Sequence, residues 1–219
     1  METDLNRKPD LEPERHQSPG AEAVAERSKG LFDSGMHCAE SVLQAVAEAY
    51  GVIDPLIPKI ATGFCGGISR TSGMCGALAG GIMALGLLTG RSSPQDSRNC
   101  CYALTHNLVQ RFRERFGSTQ CTELLGCDIS TADGAASFKA NGLEKTVCGP
   151  VTRQAAGFAG RGLCGTRHHP PPPPLTAAGR PLSPDSTHAC GTDCMLDNVK
   201  ATNGYYCSSI RICRQAPVG

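Results

Sequence analysis

From Ala21 to about residue 162, apolar residues recur at the three-to-four-residue spacing of amphipathic helices. Val24, Leu31 and Phe32 share a face of a helix starting at Ala21, and Gly35 breaks it. Cys38, Val42, Val46 and Tyr50 form the stripe of a second helix, with Gly51 as its stop. Asp54-Pro55 starts a short helix towards Ile60. Residues 63–76, GFCGGISRTSGMCG, read as a Gly-rich loop. The segment 75–89 is apolar nearly all round and rich in small residues, which predicts a central helix that its neighbours approach closely. Ser93-Pro94 joins a capping residue to a proline at the first helical position. The helix it opens is the most regular in the chain, with Cys101, Leu104, Leu108, Phe112 and Phe116 on one face. Gly117 ends it, and Ser118 caps a short helix through Leu125. Ser130 or Thr131 caps another through about Ala140, and Leu143, Val147, Val151, Ala155 and Phe158 mark a last one. No useful stretch alternates as a strand does, so the expected fold is all-α, a compact helical bundle around a Gly-rich central helix.

The ends differ from this core. Residues 1–20 are charged, lack an apolar run and read as a disordered leader rather than a secretory signal. HHPPPPP at 168–174 favours extended polyproline II, and residues 163–219 lack a sustained apolar period. The chain thus divides into a leader (1–20), a helical Cys-rich domain (21–162) and a Pro-rich, disordered tail (163–219), a change abrupt enough for a fusion or a shifted reading frame. A net charge of +1, no Trp and 5% aromatic residues argue against a nucleic-acid binder. The apolar segment 74–90 is marginal in length for a membrane span and holds five glycines, so a buried helix is the favoured reading. Membrane association beside a transporter is the alternative.

The 13 cysteines change the picture most. Their number is odd, so they cannot all pair within one chain. Without an export signal the expected compartment is the reducing cytoplasm, where clustered cysteines mean metal binding or thiol redox chemistry. Cys38, Cys75 and Cys121 fall at predicted helix starts. Free N–H groups and the partial positive charge there favour the thiolate, which lowers a cysteine pKa. Cys65, Cys100, Cys101 and Cys127 read as small core residues. Gly76, Gly80 and Gly81 permit close backbone approach, around a cluster or against a partner helix. Arg70, in the Gly-rich loop, could pair with a thiolate or bind an anion, or simply be solvated. His37 adjoins Cys38 and could carry a proton, although sequence neighbours on a helix point different ways. The loop lacks the G-K-[ST] ending of a phosphate cradle. In the tail, Cys190, Cys194, Cys207 and Cys213 stand in an order that could fold around zinc, but a disordered tail is the favoured reading.

Three segments, GMHCAESVLQAVAEAYG (35–51), ATGFCGGISRTSGMCGALAGGIMALGLLTGR (61–91) and RERFGSTQCTELLGCDISTADG (113–134), followed by Cys148, resemble the C_GCAxxG_C_C family of redox-active proteins. The resemblance covers about residues 22–160. It places the family cysteines on Cys38, Cys75, Cys121 and Cys148 and the CGAxxG glycines on Gly76 and Gly80. It implies a small, helical, cytoplasmic protein of bacteria or archaea, often encoded near transport or redox genes. The four cysteines lie 37, 46 and 27 residues apart, so they come from different elements. Four thiolates could ligate an iron–sulfur cluster or zinc, or a pair could cycle between dithiol and disulfide. The expected function is electron transfer or thiol–disulfide exchange at this four-cysteine site, with a non-catalytic zinc module as the alternative. The implied partner is a redox protein or a transporter-associated protein, and a homodimer is compatible with the sequence.

Overall fold

The computed structural model describes residues 20–163; the expectations for the leader and the tail, including its four cysteines, lie outside the described residues. The elements are α1 (Ala21–Asp33), α2 (Cys38–Ala49), α3 (Leu56–Ala61), a short 3-10 turn (Thr62–Phe64), α4 (Cys65–Arg70), α5 (Gly76–Thr89), α6 (Asn99–Phe116), α7 (Cys121–Leu125), α8 (Ala132–Ala140), a wide helical turn (Glu144–Cys148) and α9 (Gly149–Gly162). The all-α expectation holds; among the described residues the only sheet-like feature is a single antiparallel bridge between Met74 and Gln120.

Helices α2, α5 and α9 pack on one another, α1 closes over α2 and α9, and α6 closes over α5 and α9. Burial follows the stripes. Val24, Ala25, Ser28 and Leu31 face inward from α1, and Leu104, Leu108 and Phe112 from α6. Helix α2 is enclosed nearly all round, from Ala39 to Ala47, so it shares the central position with the small-residue helix α5. Gly80 sets their spacing: a Cβ there would lie 2.5 Å from the Ala39 carbonyl oxygen. Pro150 sits in the first turn of α9, where no N–H partner is needed. At the surface Arg153 pairs with Glu22 and Glu26, and Arg27 pairs with Glu48 at 2.7 Å. No helix among the described residues is long and apolar enough to cross a membrane.

Two boundaries differ from the local signals. Helix α6 starts at Asn99, not at Ser93-Pro94, because the Asp96 carboxylate gathers the backbone N–H groups of Ser92 and Ser93 into a turn. Helix α7 starts at Cys121, with Gln120 as its N-cap; Ser118 instead accepts from the Gln120 N–H at 2.9 Å. Thr131 caps α8 as expected, accepting from the Gly134 N–H at 3.1 Å.

The Gly-rich loop holds an unforeseen conformation. Gly66, Gly67, Ile68 and Ser69 all have left-handed backbone angles, and Arg70 and Ser72 also have positive φ. Glycines enter this region freely, but each L-residue with a side chain is disfavoured there by roughly 1–2 kcal/mol. Several hydrogen bonds hold the run: Ser69 Oγ donates to the Gly63 carbonyl at 2.9 Å, and the Gly73 N–H donates to the Gly67 carbonyl at 3.0 Å. Asp128 accepts from Ser72 and Ser130, contacts that hold its carboxyl below the usual range and tie the loop to the segment before α8.

Candidate functional site

Four separate devices bring cysteines to one place. Cys38 is the first residue of α2, and Glu40 fixes that helix start. The largely buried Glu40 carboxylate accepts from the His37 N–H at 2.8 Å and from Thr62 Oγ1 at 2.6 Å, so it clamps the chain before α4 onto α2. Cys75 is the N-cap of α5. The Cys75 N–H donates to the Thr119 carbonyl and the Cys121 N–H to the Gly73 carbonyl, at 2.8 and 2.9 Å. These two bonds flank the Met74–Gln120 bridge and send the side chains of Cys75 and Cys121 to the face opposite Met74 and Gln120. Gly67 admits Cys121: a Cβ on Gly67 would lie 2.5 Å from Cys121 Cβ. Cys148 arrives on the wide turn ahead of α9. The fifth cysteine, Cys65, is placed by the bend into α4, and a Cβ on Gly76 would lie 2.5 Å from Cys38 Sγ and 3.3 Å from Cys65 Cα.

All five line one cavity of about 880 Å³. His37 and Arg70 line it too, as do Gly76, Lys139, Glu144 and Lys145. Gly80 does not; it serves the crossing of α2 and α5. Cys100 and Cys101, on α6, also lie outside the cavity lining. The contributions of Cys65, Lys139 and Lys145 were not visible in the sequence. The one local hint for Cys65 was the Gly66-Gly67 pair behind it, which allows a sharp reversal of the chain.

The expected lowering of thiol pKa at helix starts is reversed at two positions. Burial pushes Cys75 up to about 11, although the N–H groups of Ala77 and Leu78 and the positive helix end pull the other way. Burial likewise raises Cys121, whose five-residue helix has little dipole to offset it. Cys148 is pushed up to about 12 by burial and by the nearby Cys75 and Cys121. Cys65 is raised further, first by its hydrogen bond with Cys38 and then by burial. The thiols therefore sense one another, but no three His, Cys, Asp or Glu side chains among the described residues stand close enough together to hold a metal ion.

The Glu40 clamp makes a stability prediction. Glu40→Ala leaves the His37 N–H and the Thr62 hydroxyl without their acceptor and is expected to destabilise the fold by about 1–3 kcal/mol. Urea denaturation measures it; Glu40→Gln, which keeps an acceptor oxygen, should lose markedly less.

A family model described as "Putative redox-active protein (C_GCAxxG_C_C)" matches residues 36–161. An uncharacterized protein of Archaeoglobus fulgidus is 33% identical over 113 residues, which cover 48% of this chain and 75% of that relative. No solved structure matches the chain.

Proposed function

This chain belongs to the C_GCAxxG_C_C family, described as redox-active, and from that premise we propose that it works by thiol–disulfide exchange at the convergent cysteines. The observation that carries this reading is the shared cavity, which gathers Cys38, Cys75, Cys121 and Cys148, together with Cys65, from separate elements. Two thiols in one open cavity can reduce a disulfide by two sequential attacks and end as a disulfide themselves. The reading includes a dithiol reductant as partner, which returns the site to its reduced form, and a reducing compartment such as the cytoplasm.

An iron–sulfur cluster or zinc would use the same donor chemistry, with metal–sulfur distances of about 2.3 Å for zinc. No three His, Cys, Asp or Glu side chains among the described residues are close enough together to hold a single metal ion, and no step is routed through a metal. The test is made on the full chain, purified without oxygen. Iron and zinc are measured per chain, and free thiols are counted before and after exposure to a small disulfide. The expected result is substoichiometric metal and a loss of thiols in pairs, restored by reductant. Stoichiometric iron or zinc, or thiols inert to the disulfide, would overturn the proposal.

A further inference from the structure

Cys65 stands outside the family's four cysteines, yet it lines the same cavity and sits beside Cys38 across Gly76. Cys38 and Cys65 flank the same bare face of Gly76, where a Cβ would lie 2.5 Å from Cys38 Sγ and 3.3 Å from Cys65 Cα. The Cys65 thiol also reaches the Ala61 carbonyl, at 3.7 Å. Three features hold it there: the Glu40–Thr62 clamp before it, the left-handed run after it, and the absence of a side chain on Gly76. Access separates Cys75 and Cys121 from the other three cavity cysteines, since Cys148 is half-buried as well. Cys38 and Cys65 are half-buried on the cavity wall, whereas Cys75 and Cys121 are buried.

The wall also carries a charge preference. Arg70, Lys139 and Lys145 line the cavity against one acidic side chain, Glu144. None of the three cations makes an ion pair among the described residues. About 880 Å³ is within the range of small-molecule sites, large enough for a peptide-sized ligand. Exposed cations lining the cavity that holds the thiols favour an anionic substrate.

We propose that Cys38 and Cys65 are the working dithiol of this site, and that the substrate is a low-molecular-weight disulfide bearing carboxylates. This rests on the thiol–disulfide reading above. Cys38 loses its proton to solvent and attacks one substrate sulfur. A Cys38–substrate disulfide forms, the substrate S–S bond breaks, and the first thiolate leaves and takes up a proton. Cys65, held protonated until then, gives up its proton and attacks the Cys38 sulfur. The Cys38–Cys65 disulfide forms and the second substrate thiolate departs and is protonated. Two cysteine thiols are oxidised and one disulfide is reduced to two thiols, with two protons given up and two taken up.

The experiment uses the reduced full chain, with oxidised glutathione as the anionic probe and cystamine as the cationic one. Peptide mapping should find a disulfide between Cys38 and Cys65. Cys65→Ser should accumulate a mixed disulfide on Cys38, which the parent chain resolves. Oxidised glutathione should react about tenfold faster than cystamine at low salt, and the gap should close at high salt or in Arg70→Gln/Lys145→Gln. A disulfide that joins Cys38 to Cys75 or Cys148 overturns the Cys65 assignment and leaves thiol exchange standing. Equal rates, or a faster cystamine reaction, overturn the anionic substrate. Inert thiols with both probes overturn the thiol reading itself.

Discussion

Gly80→Ala is expected to destabilise the fold by about 2 kcal/mol or more, although alanine is the better helix former by roughly 1 kcal/mol. The added Cβ would lie 2.5 Å from the Ala39 carbonyl oxygen and 3.0 Å from Ala39 Cα. Both obstacles are backbone, so no rotamer change relieves them and the two helices must part. The displacement reaches the site, because Ala39 follows Cys38 and Gly80 lies one turn along the helix that Cys75 caps. Gly86→Ala supplies the contrast within the same helix, since nothing lies within 4 Å of its new Cβ. It should be neutral or stabilise by up to about 1 kcal/mol. Thermal or urea unfolding of the two variants decides the matter. Equal stabilities would mean that the α2–α5 crossing is not set by Gly80.

The second large effect is alkaline. Thiols in the unfolded chain ionise near 9, whereas burial holds Cys75 near 11 and Cys148 near 12 in the fold. Both groups are therefore protonated in either state below about pH 8, and the fold keeps its full stability there. Above pH 9 the unfolded chain releases protons that the folded chain retains, so stability falls until the folded pKa values are passed. At 1.36 kcal/mol per pKa unit, Cys75 alone accounts for about 3 kcal/mol, and Cys148 adds a loss of the same order. Urea unfolding at pH 8, 9.5 and 11 should show a steep decline in the parent chain. The decline should be flatter in Cys75→Ala/Cys148→Ala. Identical slopes would place the lost protons on other groups.

Helix existence was legible because it depends on local periodicity. The Val24–Leu31 stripe, the start of α2 at Cys38 and the Thr131 cap all follow from residues within a few positions of one another. The start of α6 was not, since Asp96 competes for the N–H groups that a Ser93 cap would have led into a helix. The left-handed run was illegible for a different reason. Only Gly66 and Gly67 favour it, while Ile68, Ser69 and Arg70 lie between them and Ser72, which the distant Asp128 anchors. At the site, sequence supplied the candidate sulfurs but not their neighbours. The four cysteines do line one cavity, but Cys65 looks like a packing residue in the sequence because its nearness to Cys38 is a tertiary fact. The direction of the Cys75 and Cys121 shifts was missed because a helix start is local and burial is not.

The packing of the first described helix against the last has a consequence for how the chain folds. Helices α1 and α9 have an extensive mutual contact, and the Tyr50 hydroxyl donates to the Gly160 carbonyl across 110 residues. On the ribosome, α1 and α2 emerge long before α9 can cover them. Throughout that interval the inner faces of Val24 and Leu31 lack their cover, and Cys38, Cys65 and Cys75 are all synthesised before Cys148. Contacts this distant in sequence form late and slowly. An oxidant present during synthesis would therefore join whichever sulfurs collide first, and such cross-links would hold the nascent chain short of the native arrangement. Reduced cysteines during synthesis would leave the last helix free to dock on its partners.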